Sequence, residues 1–410
     1  MRNWAMPRRI IIAAAIIGLA ACGQQEETEA PAGTTYQEVL MAQLIDAKPG
    51  DVIEIPEGKF AFDRSLSLTV DGVTIRGAGI DKSTLSFKNQ IAGAEGLFVT
   101  ASNFTIEDLA IEDTIGDALK ITEGENIIIR RVRTEWTNGP KTENGAYGIY
   151  PVQTKNVLME ENVAIGASDA GIYVGQSQNV IVRNNRAEFN VAGIEIENTF
   201  DADVYGNVVT NNTGGILVFN MPNLKQPGAR TRVFSNEVFG NNTKNFGHEG
   251  TPVASIPAGS GIVINSNDDV EIFDNYIRNN KTANIIVVSM FSAGFDPSST
   301  QDDFDPYPEG IFVYDNTFEG GGNNPDGLEL QALKIAVAGP MGSLPDIFWD
   351  GYVNPERDDA TPVLCVQNGE AEVLNIDGPN DNKNPRIANG EHDCALAKLP
   401  AIVLTGPLAE

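Results

Sequence analysis

Across residues 156–197, short β-branched runs alternate apolar and polar positions at period two, and the arrangement is written twice. Asn156-Val-Leu-Met-x-x-Asn162 leads to Ala170-Gly-Ile-Tyr-Val, and Asn179-Val-Ile-Val-x-x-Asn185 leads to Ala192-Gly-Ile-Glu-Ile, offset by 23 residues. Val180 and Val182 fall on one side of such a strand and Ile181 and Arg183 on the other, the phase of a strand packed on one face. A unit of twenty-odd residues cannot bury its own apolar face, so a repeat of this length predicts a stacked β-solenoid.

The first-strand pattern aligns at Asp71, Asn103, Asn126, Asn156, Asn179, Asp201, Arg230, Asp269 and Gly310, so a bare coil takes about 22 residues and longer intervals carry inserts. Nine coils at strand spacing make a rod of roughly 40 Å. Six first strands end on Asn162, Asn185, Asn207, Asn236, Asn275 and Asn316. That column predicts a ladder of stacked amides, with Asn also supplying a left-handed corner. Gly148, Gly171, Gly193, Gly215 and Gly261 open the next strong strands and are read as a tight corner. Helical spacing is confined to 36–47, ahead of Lys48-Pro49-Gly50, where a short helix would plug the open end of the solenoid. After residue 323 the period is lost, and 324–410 read as a small irregular C-terminal cap with short apolar runs at 333–338, 363–366 and 402–404.

Composition narrows the function classes. The chain has 410 residues and a formal net charge of -28, which disfavours nucleic acid and, without bridging cations, an anionic polysaccharide. It favours cation binding or a basic protein partner. Arg8-Arg9 precede an apolar run over 10–21 and the segment Leu19-Ala20-Ala21-Cys22, which resembles a bacterial lipoprotein signal. Residues 1–21 are therefore expected to be removed and Cys22 acylated, with 22–35 a polar tether and 36–323 the capped solenoid. A plain secretory signal is the alternative. Gly23 after the Cys points to an outer-membrane lipoprotein facing the periplasm. In an oxidising compartment the remaining pair, Cys365 and Cys394, is expected to form a disulfide.

The run NGAYGIYPVQTKNVLMEENVAIGASDAGIYVGQSQNVIVRNNRAEFNVAGIEIEN resembles the right-handed parallel β-helix repeat family, of pectin-lyase-like fold, over about residues 48–350. Within that family it resembles a subgroup of exported, often lipid-anchored members of unknown function. The resemblance implies three parallel strands per coil, of which the third is weakly written around Ala187, Val209, Val238 and Ile277. It also implies an exported haem-c-type protein as a partner, since such a protein tends to be encoded alongside.

Four inserts, at 136–146, 220–229, 239–259 and 289–309, flank the strands opened by the Gly column, and loops on a rigid scaffold are where function gathers. The outward residues of those strands are Lys120, Tyr150, Tyr173, Glu195, Leu217, Val263 and Ile286, with Thr122, Glu197 and Asn265 two positions on. Lys120, Tyr150, Tyr173, Glu195 and Glu197 make a candidate glycan groove, rings stacking on sugar faces and carboxylates accepting from hydroxyls. Asp169, Glu195 and Tyr173 are the candidate acid and base. A solvated face with Tyr chosen for strand propensity is the competing reading. Family enzymes that act on uronates need a cation and a base. This floor has one Lys, and neither an Asp-Pro-His-Asp motif nor a cluster of Asp on successive coils is present. His248 in an insert is expected to be simply exposed. The acidic run Asp302-Asp303-Phe304-Asp305, with Asp296 and Glu309, is the place where calcium would bind, although it lacks the spacing of a calcium loop. No other metal or cofactor is expected. Two functions follow: a glycan-binding protein, with lyase, epimerase or hydrolase chemistry if it is an enzyme, or a scaffold whose acidic surface docks an exported partner.

Overall fold

The structure is a computed structural model that describes residues 35–293, 300–301, 304–357 and 362–409. The expected signal peptide, the tether and the acylation site Cys22 lie outside the described residues. From Tyr36 onward the chain is a nearly all-β parallel solenoid of about 12 turns, where alignment of the sequence counted nine. One coil shows the plan: strands Lys155–Glu160, Val163–Ile165 and Ala170–Gly175 follow one another around the rod. The first two kinds stack into one continuous back sheet, and the last kind into a separate sheet, here called the floor. The weakly written strand of each coil lies between the two strong ones, at Arg186–Glu188, Val208–Thr210, Glu237–Phe239 and Tyr276–Arg278.

Period-two alternation sends Val157, Met159, Val180, Val182, Ile172, Val174, Ile194 and Ile196 into one shared core, all fully buried. Burying each such side chain is worth about 1.5–3 kcal/mol, so the stack supplies what a single coil cannot. At the N-terminal end helix α1, Tyr36–Asp46, sets Leu40 and Leu44 one turn apart on the first coil's core. Its Gln37 side chain donates to Asp63 Oδ1 at 2.9 Å and accepts from the Asp63 amide at 2.7 Å, fixing the helix to a coil corner.

The six-Asn column is hydrogen bonded from Nδ2 to the next Oδ1 at 2.9–3.0 Å, from Asn162 through Asn316, and runs one step further to Asn368. The left-handed backbone, however, falls one residue earlier, at Glu161, Asn184, Gly206, Ser235, Asp274 and Asp315. The ladder amides turn inward instead, where each Nδ2 also reaches a core-strand carbonyl such as Val182 O. A second buried ladder, Asn190–Asn212–Asn241–Asn280, follows five residues behind the first. It explains the glycine column differently from a corner. Gly193 has ordinary negative φ, but a Cβ there would stand 2.4 Å from Val209 Cγ1 and 2.8 Å from Asn212 Nδ2. Gly171, Gly193, Gly215 and Gly261 make room for the ladder, whereas a Cβ at Gly148 would meet Gly171 O and Thr134 Oγ1.

Beyond residue 323 the ladders continue. Strands Ile347–Trp349 and Leu364–Gln367 pair in parallel with the floor and back sheets, and Val373–Asn375 adds another floor strand. The period is hidden because helix α2, Leu328–Ala338, and long loops separate these strands. Among the described residues, only Arg386–Ile387 pairs antiparallel at this end. The last apolar run lies against the middle of the rod rather than at its tip. Leu404 and Leu408 pack on Leu158 and Ile181, and Thr405 exchanges two 2.8 Å hydrogen bonds with the Asn156 amide.

Cys365 and Cys394 form a disulfide, with Cys365 packed against Phe312 and Tyr314 on the back sheet. Replacing both by Ser is expected to lower unfolding stability by about 3–4 kcal/mol, read from denaturant melts. A variant as stable as the parent would contradict this.

Candidate functional site on the floor sheet

Strand register builds the site. Lys120 pairs with Tyr150, the Ile149–Ile172 pair sets Tyr150 beside Tyr173, and Tyr173 pairs with Glu195. The row continues through Leu217, Val263, Ile286 and Phe348. A parallel row two residues on carries Gly175, Glu197, Phe219 and Asn265. The outer face of one sheet therefore changes along the rod from tyrosine and carboxylate to aliphatic.

The inserts do more than wall this face. The 239–259 insert lays Val253 and Ile256 over Leu217 and Val263, and α2 adds Leu333 and Val337 to a second apolar cluster that runs along the outer face of the floor as far as Tyr173. On the near half, Tyr147 joins Tyr150 and Tyr173 in a cluster with ring centroids 4.5, 4.7 and 4.8 Å apart. Tyr147 was not among the expected groove residues, because it precedes the strand proper; its place directly after an insert was the available signal.

Under these rings lie three carboxyl groups. Tyr173 Oη donates to Glu197 Oε1 at 2.6 Å, the Tyr147 side chain hydrogen bonds Asp169, and Glu195 Oε2 is buried without a partner. Tyr173, Glu195 and Asp169 were expected on an open floor. They are only 4 %, 2 % and 8 % exposed, so the floor is closed at these positions rather than open. Glu197, half-buried, is the member of the trio that reaches the surface, together with Tyr150 and Lys120. Lys120 Nζ lies 4.7 Å over the Tyr150 ring and 3.3 Å from Asp117 Oδ2, so its charge is already engaged.

Three buried acids with no cation among them cannot all ionise. Burial, reinforced by the Glu197 charge, lifts Asp169 to about 7. Burial and the charges of Asp169 and Glu197 push Glu195 well above the ordinary carboxylate range, and burial raises Glu197 despite its hydrogen bond from Tyr173. Burial and the same acids raise Tyr147, Tyr150 and Tyr173, which keeps their hydroxyls protonated as donors.

The sign of the pH effect follows. Folded Asp169 holds its proton up to about pH 7, whereas an unfolded Asp loses it near pH ~4. Between those values the folded state binds more protons, so stability falls as pH rises through the window. Asp169→Asn is expected to flatten the slope of melting temperature against pH there, and calorimetry that finds the slope unchanged would count against the shift.

Elsewhere, His248 is exposed in its insert. Asp296, Asp302 and Asp303 of the acidic run lie outside the described residues, while Asp305 accepts from the Tyr307 amide and the Asn354 side chain. Among the described residues no group of three or more His, Cys, Asp or Glu is arranged to hold a metal ion.

The fold is the right-handed parallel β-helix: residues 64–226 match the family model described as right handed beta helix region. The chain is similar to the A-module of the Azotobacter vinelandii mannuronan C-5 epimerase AlgE4, at 17% identity and TM-score 0.50 over 82% of this chain and 91% of that one. The AlgE6 A-module from the same organism matches at 17% identity and TM-score 0.50 over 81% and 88%. At that identity the likeness shows the fold alone. No curated protein matches the sequence.

Proposed function

We propose that the chain binds an uncharged glycan across Tyr150, Lys120 and Glu197 on the near half of the floor, and that Glu197 acts there as acid or base for its cleavage. One observation carries the reading: a carboxyl that is mostly buried yet reaches the surface, raised by burial and held by the Tyr173 hydroxyl, at the edge of a three-tyrosine cluster. Aromatic rings stack on the apolar faces of sugars, and a carboxyl titrating nearer neutrality suits proton transfer at physiological pH. Asp169 and Glu195 are positioning residues that keep protons beneath it. A uronate chain would add negative charge to an acidic floor whose lysine is paired with Asp117. The named actions of the epimerase neighbours are in keeping with a polysaccharide ligand, though not with its charge.

Calorimetric titration of the full chain against a panel of neutral and uronate oligosaccharides tests this. Binding is expected from neutral members and is expected to weaken at least about tenfold in Tyr150→Ala, the typical loss for a stacking ring. Preference for uronates, or binding unaltered by Tyr150→Ala, would overturn it.

Export and acylation at Cys22 belong to the same reading. Cys22→Ser is expected to move the protein from the membrane fraction to the soluble fraction. A membrane-bound Ser variant would remove the lipid anchor from the account.

A further inference from the structure

The far half of the floor holds a cavity of about 190 Å³ that the glycan reading does not use. Phe219, Val263 and Ile286 form its base, Ile256 from the 239–259 insert forms one wall, and Phe348 and Ile376 close the far end. Its surface is predominantly apolar, and among its lining residues Asn265 stands out. Asn265 is 1 % exposed, its Oδ1 accepts from Ser266 Oγ at 3.2 Å, and its Nδ2 has no partner. A buried amide donor left unmade costs about 1–3 kcal/mol, which an acceptor within its reach would offset. The other polar groups at the rim are already engaged. Asp350 Oδ2 accepts from the Ser289 amide and from the Ser289 and Ser292 hydroxyls, and Thr282 Oγ1 donates to Ala258 O.

We propose that this cavity binds a small uncharged molecule with an aromatic or short acyl body and one carbonyl-type acceptor, which takes the Asn265 Nδ2 hydrogen. The size suits it: an apolar cavity of ~150 Å³ accommodates benzene, and the extra volume takes a carbonyl substituent. Charge selects against an anion, because Asp350 lines the cavity and Glu197 lies two strands along the same row as Asn265. The walls offer a cationic ligand no partner except Asp350, whose oxygens are occupied. The proposal stands on the Asn265 geometry and is independent of any glycan at Glu197.

Acetophenone and ethylbenzene, near-isosteres with and without the acceptor, are the probes, titrated into the full-length protein and followed by calorimetry. Acetophenone is expected to bind about five- to tenfold more tightly than ethylbenzene, the worth of one hydrogen bond. Asn265→Leu is expected to erase that preference while both probes still bind. Val263→Phe, which fills the base of the cavity, is expected to abolish both. Failure of both probes to bind the parent, a preference that survives Asn265→Leu, or binding that survives Val263→Phe would each overturn the proposal. Should Asn265→Leu fail to fold, the parent preference and the Val263→Phe result still decide it.

Discussion

Glu197→Gln is expected to reduce turnover of a neutral glycan at least about a hundredfold, the usual contribution of a positioned general acid or base. The amide keeps the shape and accepts the Tyr173 hydrogen bond, but it cannot exchange a proton. Glu195→Gln is the informative contrast. Glu195 is 2 % exposed and pushed upward by burial and by its two carboxyl neighbours, so the amide imitates the protonated form that burial favours. That variant is expected to keep turnover within about threefold of the parent, consistent with a group that does not transfer the proton itself. The pair separates a residue that touches substrate from one that supports it. Equal losses in both would place the chemistry beneath the rings. The pH profile adds an independent reading, because the group governing the parent's rate titrates above the ordinary carboxylate range and is absent in Glu197→Gln.

Asn207→Ala should produce the largest loss of stability of any single substitution considered, about 4 kcal/mol. Asn207 is fully buried; its Nδ2 donates to Val182 O and Asn236 Oδ1, and its Oδ1 accepts from the Asn185 amide and side chain. Truncation leaves a carbonyl and an amide without partners inside the core and opens a void between coils. By contrast, Asn126 belongs to an outer ladder with Asn103 and Asn156 whose edge faces solvent. Asn126→Ala is therefore expected to cost less, about 1–2 kcal/mol, because water replaces the lost hydrogen bonds and what remains is the strain of Ala at a left-handed φ of 59°. Denaturant melts with an unchanged slope would report the two values, and equal costs would show that burial does not set the worth of these ladders.

The solenoid was legible because its signal repeats. Period-two strands, a stacking Asn and a 22-residue interval recur together, and each coil confirms the next. The second ladder was equally available, at Asn190, Asn212, Asn241 and Asn280, but an Asn three residues before a Gly, as at Asn190 and Asn212, invites a turn reading, and only the crowding around Gly193 shows that the glycine serves the amide. The C-terminal strands were hidden by α2 and by loops longer than the repeat they interrupt. The rows of the floor were also legible, since register is fixed once the core phase is known. Which row members meet solvent was not. Tyr147 and the insert carrying Ile256 come from irregular segments, and their packing over Tyr173, Leu217 and Val263 depends on tertiary folding that no strand pattern encodes.

Ligand is expected to meet this chain on the near half of the floor. Amide hydrogen exchange of the full chain, with and without the neutral oligosaccharide that binds best, tests it most directly. Slowed exchange is expected in Ile149–Val152, Ala170–Gly175 and the Glu197 end of Ala192–Glu197, with the back sheet unchanged. Protection confined to the back sheet or to the C-terminal loops, with the floor unaltered, would contradict the account.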